Sequence, residues 1–107
     1  MKNNFFIDYF NFIDTGLKSV NYDNLIEASK KIEAVSKAGN KIIIAGNGGS
    51  AAMASHVSVD FTKAAGIKAI NFNEADLLTC FSNDYGYERV FEKAIEFYGD
   101  SGDMLIL

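Results

Sequence analysis

The sequence predicts an α/β fold: a three-layer αβα sandwich on a parallel sheet, preceded by a helical N-terminal extension. Three observations carry that expectation. Lys41-Ile42-Ile43-Ile44-Ala45 is a β-branched run apolar on both faces, the pattern of a central parallel strand covered by helices. A glycine-rich turn, Gly46-Asn47-Gly48-Gly49-Ser50, joins it directly to a helical pattern. Strand-like and helix-like segments then alternate to the C-terminus, as in doubly wound α/β domains.

The elements follow in order. Over residues 5–20, Phe6, Tyr9, Phe10, Ile13, Leu17 and Val20 recur at helical spacings, with Phe5 and Phe12 on the flanks. So many aromatics on one short helix leave two readings: a helix folded back on its own domain, or an exposed face that meets a second copy. Self-association is the reading adopted. Asn21 or Asp23 caps a second helix carrying Leu25, Ile26, Ile32 and Val35, and Gly39-Asn40 ends it. Residues 1–38 are therefore expected to form the extension and residues 39–107 the first part of the sandwich. After the glycine turn come a helix to about Lys63, a strand over 67–72, and a short helix over 75–81 begun near Asn73. An amphipathic helix over 87–98 leads to a third buried-type strand from Met104. Three strands leave parallel edges open, so the chain is expected to be truncated after its third strand, or completed by another chain.

Composition limits the function classes. The chain has 107 residues, with 14 acidic against 10 basic side chains for a net charge of −4, which argues against a broad nucleic-acid footprint. No apolar run reaches the roughly 18 residues of a membrane span. Asp8 and Asp14 interrupt the apolar start, and no small-residue cleavage pattern follows it. A single cysteine, Cys80, forms no internal disulfide and no cysteine-rich zinc site; it is expected to be a small buried hydrophobe in a reducing, cytoplasmic protein.

A strand, a glycine loop and a helix together make an anion site. The first amides of the helix point into the loop, and the helix dipole adds partial positive charge. Asn47 and Ser50 add side-chain hydrogen-bonding groups to Gly48 and Gly49. A Walker A loop requires Lys then Ser or Thr after its last glycine, and Ser50-Ala51 excludes it. Gly46, Gly48 and Ala51 fit a dinucleotide fingerprint, but Asn71-Phe72-Asn73 closes the second strand where that fingerprint wants a carboxylate for the ribose. No nucleotide cofactor is expected.

Gly46-Asn47-Gly48-Gly49-Ser50-Ala51-Ala52 followed by His56 resembles the phosphoheptose isomerases of the SIS-domain (sugar isomerase) family. A second block, Ser82-Asn83-Asp84-Tyr85-Gly86-Tyr87-Glu88-Arg89-Val90-Phe91, is similar to that family's Asn-Asp-Tyr-Gly segment. Gly102-Asp103-Met104-Leu105-Ile106-Leu107 looks like the strand preceding its serine-rich phosphate loop. The resemblance covers essentially the whole chain and implies a SIS-like fold, a phosphorylated sugar as ligand and a homotetramer. It also implies aldose–ketose isomerisation of sedoheptulose 7-phosphate to a heptose 7-phosphate through an enediol, with zinc in some members.

By the same resemblance Asn47, Gly48, Gly49, Ser50, Asn83 and Asp84 contact substrate. His56 and Asp60 lie four apart on one helix face and would serve as acid/base pair and metal ligands. The family usually has Glu at the second of these positions, one methylene longer than Asp60. Its serine loop and later Gln and His ligands would fall past Leu107, so these 107 residues alone are expected to be inactive. Tyr85 and Tyr87 are expected to pack rather than to flank the sugar. The rival reading is a non-catalytic phosphosugar-binding or protein-interaction adaptor on the same fold.

Overall fold

A computed structural model describes residues 4–107; residues 1–3, the start of the expected extension, lie outside the described residues. The elements are α1 (Asn4–Lys18), α2 (Tyr22–Lys37), β1 (Ile42–Ile44), α3 (Gly49–Lys63), β2 (Ala69–Asn71), α4 (Ala75–Tyr85), a single 3-10 turn (Tyr87–Arg89), α5 (Val90–Tyr98) and β3 (Met104–Ile106). The chain divides into two compact units between Lys30 and Lys31.

In the first unit α1 buries no side chain: Phe6, Phe10 and Leu17 are each more than 60% exposed, and Phe12 is 77% exposed. Its aromatic rings meet along the helix, Phe5 stacked on Tyr9 at a centroid distance of 6.3 Å and Tyr9 tilted against Phe10 at 6.2 Å. Asn21 is the cap of α2; its Oδ1 accepts from the backbone N–H of Asp23 (2.9 Å) and Asn24 (3.2 Å).

The second unit is built on a parallel three-stranded sheet of order β2-β1-β3, with Ile43 in register with Ile70 on one side and Leu105 on the other. Ile42, Ile43 and Ile44 are 0%, 2% and 6% exposed. Alternation divides them between the faces. Ile42 and Ile44 pack with Ala54, and around them lie Ile32 and Val35 of α2 and Phe61 of α3. Ile43 packs with Phe72 and Ala94 among Leu77, Phe81, Phe91 and Ile95 of α4 and α5. These are the three expected layers. Each fully covered isoleucine contributes roughly 2 kcal/mol of apolar burial.

Two details depart from the sequence reading. β3 is not a buried strand: Met104 and Ile106 are half-buried and Leu105 is 42% exposed. It is an edge strand, and the cluster around Ile43 includes residues of β1 and β2 but not Leu105. The helix expected over 75–81 runs on to Tyr85, and the one expected over 87–98 begins with a 3-10 turn. Gly86, at φ 95°, separates the two. No helix among the described residues is long and apolar enough to cross a membrane.

At the amino ends of β1 and β3 the strands are clamped by charge. The Lys41 ammonium contacts Asp100 and Asp103, each at 2.6 Å. The Asp103 carboxylate, 7% exposed, also accepts from the backbone N–H of Lys41 (3.0 Å) and of Asp100 (2.8 Å). Burial alone would raise its pKa, but these donors outweigh it and hold the carboxyl well below the usual range. The hydrogen bonds to Asp100 and Asp103 raise the pKa of Lys41. Asp103 therefore adds stability above the ordinary carboxylate pKa and loses it as pH falls toward its own lowered value. Lys41 adds stability below its ordinary pKa and loses it as pH rises through the raised one. The clamp is thus whole between about pH 4 and pH 10. Asp103→Asn is expected to lower stability by about 2 kcal/mol at pH 7 and to flatten the loss of stability between pH 5 and pH 2, as read by urea unfolding at each pH.

Candidate functional site

The strand order 2-1-3 means that the chain leaves β1 along one face of the sheet, through α3, and reaches β3 along the other, through α4 and α5. Such a reversal opens a crevice at the carboxyl end of the first strand, where α/β folds place their ligands. Here that end is the glycine loop. Gly46 is required by close approach: a Cβ on it would lie 2.5 Å from the Ser50 carbonyl oxygen and 2.8 Å from Ser50 Cβ. Gly48, the residue before α3, has φ 56° and ψ −122°, a conformation closed to side chains with a Cβ. A Cβ on Gly48 or Gly49 would meet nothing within 4 Å, so the start of α3 faces open space.

A cavity of about 260 Å³ adjoins the loop, lined by Gly46, Asn47 and Ala51, by Asn73 after β2, and by Leu78, Tyr87, Glu88, Val90 and Phe91. It falls just below the roughly 300–1,000 Å³ range of small-molecule sites. Two segments 40 residues apart meet there: the Tyr87 hydroxyl donates to Asn47 Oδ1 at 2.8 Å. The same oxygen accepts from the Gly48 N–H at 3.1 Å.

Two asparagines at the carboxyl end of β2, Asn71 within it and Asn73 just beyond, fasten α3 in place. Asn71 Nδ2 donates to Ser58 Oγ (2.8 Å), and Asn73 Nδ2 donates to the Ala51 carbonyl and to Ser55 Oγ, both at 2.7 Å. Both amide hydrogens of Asn73 and one of Asn71 are engaged with α3, and neither residue supplies a carboxylate for a ribose.

The other expected site residues lie elsewhere. Ser50 is exposed in the first turn of α3, its N–H bound to the Asn47 carbonyl (3.0 Å), and it does not line the cavity. His56 and Asp60 stand on the outer side of α3, because Ala54, Ser58 and Phe61 take the side toward the sheet. Their Nε2–Oδ2 separation is 3.5 Å with side chains 79% and 63% exposed, a weak surface contact. Zinc sites use three or four protein ligands, and no group of three or more His, Cys, Asp or Glu among the described residues could hold a metal. The two residues alone do not fit the ion.

Asn83 and Asp84 fall in the last turn of α4, outside the cavity, with Asn83 Nδ2 donating to Asp84 Oδ1 at 2.9 Å. Asp84 is also 3.6 Å from Cys80 Sγ. Cys80 is exposed rather than buried, since Leu77 and Phe81 take the inward positions of α4. The charge of Asp84 pushes its thiol pKa up, away from nucleophilic reactivity. Arg89 is turned to Glu92, at 2.7 and 3.1 Å, and among the described residues no Lys, Arg or His lines the cavity.

Tyr85 packs as expected, edge-on to Phe81 with ring centroids 5.6 Å apart and with the Lys93 ammonium 5.5 Å from its centroid. Tyr87 does not; it is 65% exposed and belongs to the site. Asn73, Tyr87 and Glu88 are the lining polar residues that sequence reasoning missed. The signal for two of them was present, since Tyr87-Glu88 sits inside the second motif.

A family model described as "SIS domain" matches residues 6–107. The chain is 38% identical over 88 residues to a phosphoheptose isomerase of Roseiflexus sp. strain RS-1, covering 77% of this chain and 45% of that protein. It is 39% identical over 97 residues to phosphoheptose isomerase 2 of Campylobacter jejuni, covering 84% and 48%. The chain thus spans about half the length of the curated relatives it matches. Among solved structures it is similar to a phosphoheptose isomerase from Neisseria gonorrhoeae, with a TM-score of 0.81, 28% identity, and coverage of 94% of this chain and 54% of that one.

Gly46→Ala is expected to destabilise the chain by about 2 kcal/mol, because the added methyl collides with backbone that only a shift of the first turn of α3 can relieve. Thermal or urea unfolding reads the loss; an unchanged midpoint would show that the loop yields freely.

Proposed function

This chain belongs to the SIS domain family, and from that premise we propose that it is part of a phosphosugar isomerase of the phosphoheptose type. The observation that carries the reading is the 2.8 Å bond by which the second motif, through Tyr87, closes on Asn47 of the glycine loop over one cavity. The relatives' name, phosphoheptose isomerase, supplies the ligand class.

In this reading the glycine loop and the positive end of the α3 dipole receive an oxygen-rich, anionic ligand. Asn47 offers an amide donor to a sugar or phosphate oxygen. Leu78, Val90 and Phe91 form the apolar wall. Isomerisation between aldose and ketose requires a base at the carbon acid, donors for the developing oxyanion and an anchor for the phosphate. Among the described residues Glu88 is the carboxylate at the cavity, and no cationic side chain lines it. The 107 residues are accordingly proposed to bind the sugar phosphate without turning it over. Asn71 and Asn73, engaged with α3 where a ribose carboxylate would stand, favour this ligand over a dinucleotide.

A thermal-shift titration tests the choice. Sedoheptulose 7-phosphate is expected to raise the melting temperature in a saturable way, while NAD leaves it unchanged. Protection by NAD alone would overturn the reading. Incubation with sedoheptulose 7-phosphate is expected to give no product, and sustained turnover would overturn the inactivity of the short chain.

The exposed aromatic face of α1 is proposed as the surface through which copies of this chain associate; its support is the run of large apolar residues left in water, which monomers rarely carry. Light scattering is expected to give a mass above that of one chain for the wild type. The double substitution Phe6→Glu and Phe10→Glu should bring the mass to that of a monomer with unchanged circular dichroism. A monomeric wild type would remove this surface from the proposal.

A further inference from the structure

Asn47 Oδ1 meets two protein donors, the Gly48 backbone N–H at 3.1 Å and the Tyr87 hydroxyl at 2.8 Å. An N–H can only donate, so the atom facing it has to be the amide oxygen; the phenol O–H then fills that oxygen's second lone pair. The amide is thereby oriented. Its oxygen is satisfied by the protein, and both hydrogens of Nδ2 are left over, engaged by no hydrogen bond among the described residues. Asn47 and Tyr87 both line the cavity. Tyr87 is not held there by ring packing: it is 65% exposed and has no part in the contacts joining Phe81 to Tyr85 or Phe72 to Tyr98.

We propose that Tyr87 is a positioning residue for the ligand, its hydroxyl holding the Asn47 amide so that Nδ2 presents two N–H donors to an oxygen of the phosphorylated sugar. The inference rests on the sugar-phosphate reading of this cavity and adds a requirement to it. The ligand atom beside Asn47 is an acceptor, a carbonyl or anionic oxygen. A flipped amide would present its oxygen there and repel such an atom. The Gly48 N–H excludes that alternative, and the Tyr87 hydroxyl, as a second anchor on the same oxygen, restrains the amide before the ligand arrives, so less ordering remains to be done on binding.

The test uses the 107-residue chain, isotopically labelled, as wild type, Tyr87→Phe, Asn47→Ala and the double variant. Tyr87→Phe removes one oxygen from an exposed ring, so it should keep the wild-type pattern of backbone resonances away from the loop. Without ligand, the Asn47 side-chain amide is expected to become more mobile in Tyr87→Phe, read as a lower heteronuclear Overhauser effect. With sedoheptulose 7-phosphate, affinity is expected to fall about five-fold in Tyr87→Phe, the worth of one ordinary hydrogen bond, and by less than two-fold when the same change is made in Asn47→Ala.

An equal loss in both backgrounds, or an unchanged affinity, overturns the proposal. So does an unchanged Asn47 amide. If the wild type binds no sedoheptulose 7-phosphate, the sugar-phosphate reading fails, and the ligand-free spectra then decide the clamp alone: a loosened amide upholds it and an unaltered one ends it.

Discussion

Everything at the site depends on the burial of three consecutive isoleucines. Ile42 and Ile44 face one helical layer and Ile43 the other, so β1 is covered from both sides and held between two neighbouring strands. Its register is fixed by what flanks the run: a shift of one residue would bring Lys41 into the buried position of Ile42 and break its pairing with Asp103. The residue after it, Ala45, is buried as well, and its N–H is bonded to the Ile106 carbonyl at 3.0 Å. Gly46 therefore emerges at a fixed point, and the loop inherits its place from the core rather than from its own weak local preferences.

Around that strand the polar groups divide by end. At the amino ends, the Lys41–Asp103 pair and its backbone donors tie β1 to β3. At the carboxyl ends, Asn71 and Asn73 tie β2 to α3 through Ser58, Ser55 and the Ala51 carbonyl. The first arrangement is charged and closed upon itself. The second uses neutral amides and leaves Asn47, Tyr87 and Glu88 beside an open cavity. One end of the sheet is thus closed by charge and the other carries an open cavity, at the topological switch point where α/β folds place their ligands.

The faces of α3 show how closely such a division is drawn. Ala54, Ser58 and Phe61 turn toward the sheet and Ser55 toward Asn73, which sends His56 and Asp60 outward into water. Spacing by four places His56 and Asp60 together, yet spacing says nothing of which side of the helix the core will claim. The same holds on α4, where Leu77 and Phe81 go inward and leave Cys80 and Asp84 exposed.

The sequence by itself determined the order of the elements, the central strand, the glycine turn and the two motifs, because each is written in local composition: β-branched runs, helical periodicity and the residues that permit a tight turn. The exposure of β3, the outward direction of His56 and Asp60, and the meeting of Tyr87 with Asn47 were decided only by tertiary structure. Each depends on which neighbours arrive from distant parts of the chain. A tyrosine's spacing gives no sign that its hydroxyl will end 2.8 Å from an amide forty residues earlier. Local patterns set what a segment becomes, and the packing of layers sets what each side chain meets.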